Sequence, residues 1–172
     1  MKTKELCLQG LMIALVTVST MVLQIQVSAT NGYIHLGDSM ILIIGIFFGA
    51  RYGMIAGGVG AALADLLSGY AHWAPFTLII KGLMGYLIGK IGHRSMEEQH
   101  FFTVRTWLGA VIGILWMVMG YYLGGAVLQS SWTVALTSIP ENLVQGGAGL
   151  VIFLVVGYAF YKAKIYKYVS VK

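Results

Sequence analysis

An all-α membrane protein of six transmembrane helices, with amino and carboxyl termini both cytoplasmic, is the fold class this sequence predicts. Three observations predict it. The chain of 172 residues is 58% hydrophobic and only 10% charged, whereas soluble domains carry about 25% charged residues. Apolar runs recur six times, each near the ~20 residues a bilayer span needs or somewhat shorter. Of the 11 Lys and Arg residues, all but Lys81 fall where an inner-side bias of positive charge would put them. The length predicts one domain over residues 1–172.

The first run is Leu6–Val27. It is too long for the apolar core of a signal peptide, and no A-x-A site follows promptly, so it is read as a retained span. The second, Ser39–Ala50, is short and extended outward by His35–Asp38. The others are Met54–Tyr70, Pro75–Gly89, Thr106–Leu128 and Leu143–Tyr161. Apart from HRSMEEQHFFTVR at 93–105 the loops are short, with no linker and no internal repeat.

With the amino terminus inside, the inner segments hold Lys2, Lys4, Arg51, Lys90, Arg94, Arg105, Lys162, Lys164, Lys167 and Lys172. The outer loops near 28–37, 71–74 and 129–140 hold none. An odd number of spans would put the basic tail outside, so the count of six follows. Tyr158, Tyr161, Tyr166 and Tyr168 fit an aromatic belt at the inner face. The charge of +5 is thus orientation, not a nucleic-acid footprint, because the basic residues form no stripe or arm.

Glycine is abundant, 23 residues. Gly53-x-x-x-Gly57 and Gly85-x-x-x-Gly89 read as faces where helix backbones approach closely. Gly10-x-x-x-Ala14 could pack inside the bundle or dock a partner helix.

Polar residues at membrane depth carry most of the functional signal. Lys81 interrupts PFTLIIKGLMGYLIG, and a cation there needs a partner. Counting from an outer turn centred near His72, Asp65 and Lys81 come to similar depth, roughly 10–13 Å down at ~1.5 Å per residue. An intramembrane Asp65–Lys81 pair is one expectation; Lys81 facing a ligand is the other, and the two are compatible. Asn31, His35, Asp38, His72, Trp73, Trp132, Glu141, Asn142 and Gln145 form a second set at the outer ends. Trp132 reads as an interfacial anchor. Glu141 suits a helix start after Pro140. Asn142 and Gln145 share a helix face in the apolar zone and need partners, from packing or from a ligand.

Enzyme signatures are missing. The sequence has no H-E-x-x-H, no G-x-S-x-G and no Walker A loop, and none of its four His share i, i+4 spacing. The single Cys7 allows no internal disulfide. Neither a metal nor a cofactor is expected in this chain, and any ATP would be used by another subunit.

The run HLGDSMILIIGIFFGARYGMIAGGVGAALADLLSGYAHWAPFTLIIKGLMGYLIG, with Pro140, Asn142 and Gln145 as P-x-N-x-x-Q, resembles the substrate-binding S components of energy-coupling factor (ECF) transporters. The resemblance covers most of the chain and is strongest over residues 35–90. It implies a non-catalytic, multi-pass subunit of the plasma membrane that binds a vitamin near the outer face. It also implies partnership with a transmembrane T subunit and two cytoplasmic ATPases. Gly10 and Ala14 match the small-xxx-small docking motif on the first helix. His72, Trp73, Lys81, Asn142 and Gln145 match ligand positions, with the loop before Asp38 as a lid, and His35 and Asp38, three apart, read as ligand hydrogen-bonding groups and not as a metal pair. The G-D, A-D-L-L-S-G-Y and I-I-K-G segments resemble members assigned to hydroxymethylpyrimidine or pyridoxine vitamers, and also riboflavin-like and pantothenate-like ones. Trp73, Trp116, Tyr121 and Tyr122 could stack a flat ring. No paired carboxylates argue for a dication. A small pyridine or pyrimidine is the expected substrate; a membrane-embedded enzyme using Asp65, Lys81 or His72 is the other class.

Overall fold

A computed structural model describes residues 3–22, 24–27, 32–93 and 100–165. Lys2, Asn31, Arg94, Tyr166, Lys167, Tyr168 and Lys172 lie outside the described residues. Six helices carry the fold: α1 (Thr3–Val22), the shorter α2 (Gly37–Phe48), α3 (Ala50–Leu67), α4 (Ala74–Gly92), α5 (Val104–Leu128) and α6 (Ser138–Lys162). A single helical turn, Trp132–Ala135, precedes α6. Four helical segments are long and apolar enough to cross a membrane: Thr3–Val22, Ala74–Gly92, Val104–Leu128 and Trp132–Lys162.

The all-α expectation needs one correction. Two short antiparallel strands, β1 (Gln24–Val27) and β2 (Gly32–His35), follow α1, with Gln24 opposite His35 and Gln26 opposite Tyr33. The span predicted to run through Val27 therefore ends at Val22. Its last residues, Gln-Ile-Gln-Val, alternate polar and apolar side chains, which suits a half-buried ribbon better than a helix in lipid.

The tightest packing is between α3 and α4. A Cβ on Gly53 would lie 2.6 Å from the Gly85 carbonyl oxygen, and one on Gly57 would lie 2.8 Å from that of Lys81. Only glycine allows this approach, as the small-residue spacing predicted. Gly49, between α2 and α3, has φ +92, a conformation that costs other residues strain. On the far side of α3 lies α1, where the Thr17 hydroxyl donates to the Gly60 carbonyl at 2.9 Å. That contact turns Gln9, Met12, Val16 and Thr20 inward. Gly10 and Ala14 are on the opposite, exposed face, with no other atom within 4 Å of a Cβ built at Gly10. Of the two readings for this pair, packing inside the bundle is thereby removed.

Candidate functional site

The polar residues gather at the hairpin end of the bundle, in two layers. The deeper layer is an ion pair. The Lys81 ammonium donates to Asp38 Oδ1, and both side chains are fully buried. Asp38 Oδ2 accepts the Gln145 amide Nε2–H at 2.9 Å. Gln145 Oε1 in turn accepts the backbone N–H of His35 at 3.1 Å. Lys81 Nζ also lies 2.9 Å from Met117 Sδ and 5.3 Å from the centre of the Tyr121 ring. Gly149, one turn beyond Gln145, lets α6 approach α2, since a Cβ there would sit 3.0 Å from Asp38 Cβ.

Asp65 is therefore not the ion-pair partner of Lys81. The depth count from His72 assumed that helix continues to the turn, but α3 stops at Leu67 and residues 68–73 form the connection. Asp65 lies two residues from its helix end and Lys81 seven from the start of α4, so at ~1.5 Å per residue Lys81 is about 7 Å deeper. Helix α2 starts deep, after β2, and that brings Asp38 level with Lys81.

The upper layer encloses a cavity of about 50 Å3. Its walls come from Tyr33 and His35 of β2, Asp65 of α3, Trp73 and Thr77 around the start of α4, Tyr121 of α5, and Ser138, Glu141, Asn142 and Gln145 of α6. Such room holds about three to five waters at the roughly 10–15 Å3 each requires. The Tyr33 hydroxyl donates to Asp65 Oδ1 at 2.6 Å. Thr77 and Tyr121 share a hydrogen bond of 3.1 Å. Asn142 donates to the Ser138 carbonyl at 2.8 Å. The Trp73 and Tyr121 rings lie 5.7 Å apart, and Tyr33 faces Tyr70 at 4.7 Å.

The hairpin groups are held in defined protonation states. Burial first, then the Lys81 charge, pushes the His35 imidazole down to about 3. The ring is neutral, and its Nδ1 accepts the Gly37 N–H at 3.0 Å, which leaves the proton on Nε2. Burial, and after it the charge of Asp65, raises the Tyr33 hydroxyl above its ordinary value, so it stays a donor.

His35, Trp73, Asn142 and Gln145 thus reach the cavity wall, while three expected contacts do not. Lys81 and Asp38 lie behind the wall, each consumed by the other. His72 is exposed and packs its ring against Tyr70 and Trp73 at 6.4 and 6.3 Å. Of the other aromatics considered for stacking, Trp116 donates its indole N–H to the Ile80 carbonyl. Tyr122 faces the exposed Trp132 at 5.8 Å, which agrees with an anchoring role for that tryptophan. Tyr33, Thr77 and Ser138 were not anticipated. Thr77 had a signal, lying one helical turn outward from Lys81. Asp65 and Glu141, far apart in sequence, line the same cavity, a pairing that sequence spacing did not suggest.

Comparison with known proteins agrees with this architecture. The chain is 38% identical over 147 residues to the "Uncharacterized protein in gap 3'region" of Pyrococcus woesei, covering 86% of this chain and 95% of that one. It is 32% identical over 117 residues to the thiamine precursor transporter HmpT of Lactococcus lactis subsp. cremoris (strain MG1363). That match covers 65% of this chain and 63% of the transporter, less than two thirds of its length. The family model described as ECF-type riboflavin transporter, S component, matches residues 1–162. With apolar helices long enough to span a membrane and this match over nearly its whole length, the chain belongs to the S component family of ECF-type transporters.

Proposed function

We propose that this chain is the substrate-binding subunit of an ECF-type importer for a small, single-ring vitamin or vitamin precursor, hydroxymethylpyrimidine or a pyridoxine vitamer. The observation that carries the reading is the cavity: small, roofed by the β-hairpin, and bounded by Trp73 and Tyr121 with Thr77, Ser138 and Asn142 as polar groups. Aromatic walls with a few fixed polar groups suit a flat, hydrogen-bonding ring. The relative that transports a thiamine precursor supports the same choice.

In this reading all six helices span the membrane, with both termini cytoplasmic and the hairpin end outward. Residues 1–172 form one binding domain. Lys4, Arg51, Lys90, Arg105 and Lys162 then lie together on the inner side, as the positive-inside rule requires. The Lys81–Asp38–Gln145 chain forms the floor of the site, and the hairpin forms its lid. Gly10 and Ala14 present a smooth face to a T subunit, and two ATPases supply the energy. The chain itself performs no catalysis and carries no cofactor.

The test is calorimetry on the purified chain with hydroxymethylpyrimidine, pyridoxine, riboflavin and pantothenate. Tight binding of one of the first two, unchanged ligand after release, and at least tenfold weaker binding in Asn142→Ala support the proposal. Preference for riboflavin or pantothenate would make the chain an S component for another micronutrient. Recovery of a chemically altered ligand would sink the non-catalytic reading in favour of a membrane-embedded enzyme.

A further inference from the structure

One carboxylate oxygen in the cavity wall has no partner. Asp65 is 5% exposed. Its Oδ1 accepts from Tyr33, whereas its Oδ2 is buried with no hydrogen bond. The cation expected to neutralise it is held by Asp38. Leaving a buried acceptor unmade is costly, and more so for a charged group. Among the described residues Asp65 has no ion pair to offset that cost. The rest of the wall offers Asp65 no cation, because it includes neither Lys nor Arg.

A wall with a spare buried acceptor and no cation selects for donors and against anions. We propose that Asp65 determines specificity by accepting an N–H from the ligand, and that the ligand is an amino-substituted nitrogen heteroaromatic. An exocyclic amine beside a ring nitrogen suits the geometry. Its N–H reaches Oδ2, and when the ring nitrogen is protonated a second, parallel N–H can use the remaining lone pair of Oδ1. A ligand carrying a carboxylate or phosphate would meet Asp65 as a like charge and find neither Lys nor Arg on the wall. The inference rests on the binding function proposed above and adds the chemistry of the contact.

The experiment compares 4-amino-5-hydroxymethyl-2-methylpyrimidine with its 4-oxo analogue, in which the amine donor becomes an acceptor. Calorimetry on the full chain should show the amino compound binding about 100-fold tighter or more, because a site built around one hydrogen bond rejects the analogue that leaves it unmade. In Asp65→Asn the amide can donate to the oxo group, so the ratio should fall below about tenfold. Equal loss of both ligands in Asp65→Asn, with the ratio unchanged, would mean a structural role and overturn the inference. So would equal affinities in the unmodified protein, a result that needs no variant to fold. Preference for pyridoxine over the aminopyrimidine overturns the inference and leaves the binding function standing. Binding of neither vitamin overturns both.

Discussion

Removing either member of the Lys81–Asp38 pair should unfold the floor of the site, and removing both should restore much of it. Both side chains are fully buried, so Lys81→Met leaves Asp38 as a charge with only the Gln145 amide. Breaking a buried pair at one end costs about 3–5 kcal/mol, whereas apolar replacement of the whole pair is often neutral. In Lys81→Met/Asp38→Leu the uncompensated charge is gone. What remains is a Gln145 N–H without its acceptor, about 1–3 kcal/mol. The single variants should therefore lose about 3–5 kcal/mol each and the double variant about 1–3, a coupling of several kcal/mol where independent sites would add. The assay is equilibrium unfolding in detergent micelles, followed by tryptophan fluorescence, for the four proteins of the cycle. Additive losses, within about 0.5 kcal/mol, would refute the pairing. Ligand affinity in the double variant gives an independent reading. Lys81 lies behind the wall, so affinity should stay within about tenfold. Complete loss in a folded double variant would mean that Lys81 touches the ligand after all.

Four further outcomes follow from the packing and the hairpin. Gly85→Ala places a methyl group against the Gly53 carbonyl and should cost about 1–3 kcal/mol of stability. Gly147→Ala, with nothing within 4 Å, should be neutral in the same unfolding measurement. Gly10→Leu or Ala14→Leu, on the exposed face of α1, should leave ligand affinity unchanged and abolish co-purification with a T subunit; a persisting complex would move the docking face elsewhere. His35 is neutral when folded, with its value lowered from 6.5 to about 3. The unfolded chain binds that proton more readily, so this contribution is complete above about pH 6.5 and declines as the pH falls toward 3. His35→Gln should flatten the loss of thermal stability between pH 6.5 and 4 relative to the unmodified protein, and parallel curves would remove His35 from the account.

Much of the architecture was legible because membrane folding writes itself in composition. The apolar runs that became helices and the glycine spacing in α3 and α4 each follow from a cost that lipid imposes. Lys81 was legible as a buried cation for the same reason. Its partner was not. The choice between Asp38 and Asp65 depends on where α3 ends and how deeply α2 begins, and apolar runs do not mark helix ends. The hairpin was hidden because Gln24–Val27 continues an apolar helix without a Pro or Gly to punctuate it. Asn142 and Gln145 stood out as amides among apolar neighbours. Ser138 did not, because its hydroxyl can be satisfied by a carbonyl one turn back, as it is at Ala135.

The Gln145 side chain has a further consequence. An amide is asymmetric: its oxygen only accepts and its nitrogen only donates. Here the oxygen faces the His35 backbone N–H and the nitrogen faces the Asp38 carboxylate, so one orientation alone satisfies both ends. The hairpin and the charged floor are thus fastened by the same group on α6. Rotating or withdrawing that helix releases the two together, and an opening that frees the hairpin also strips Asp38 of its neutral donor. One glutamine thus ties the hairpin to the charged floor, and losing its side chain would free both at once.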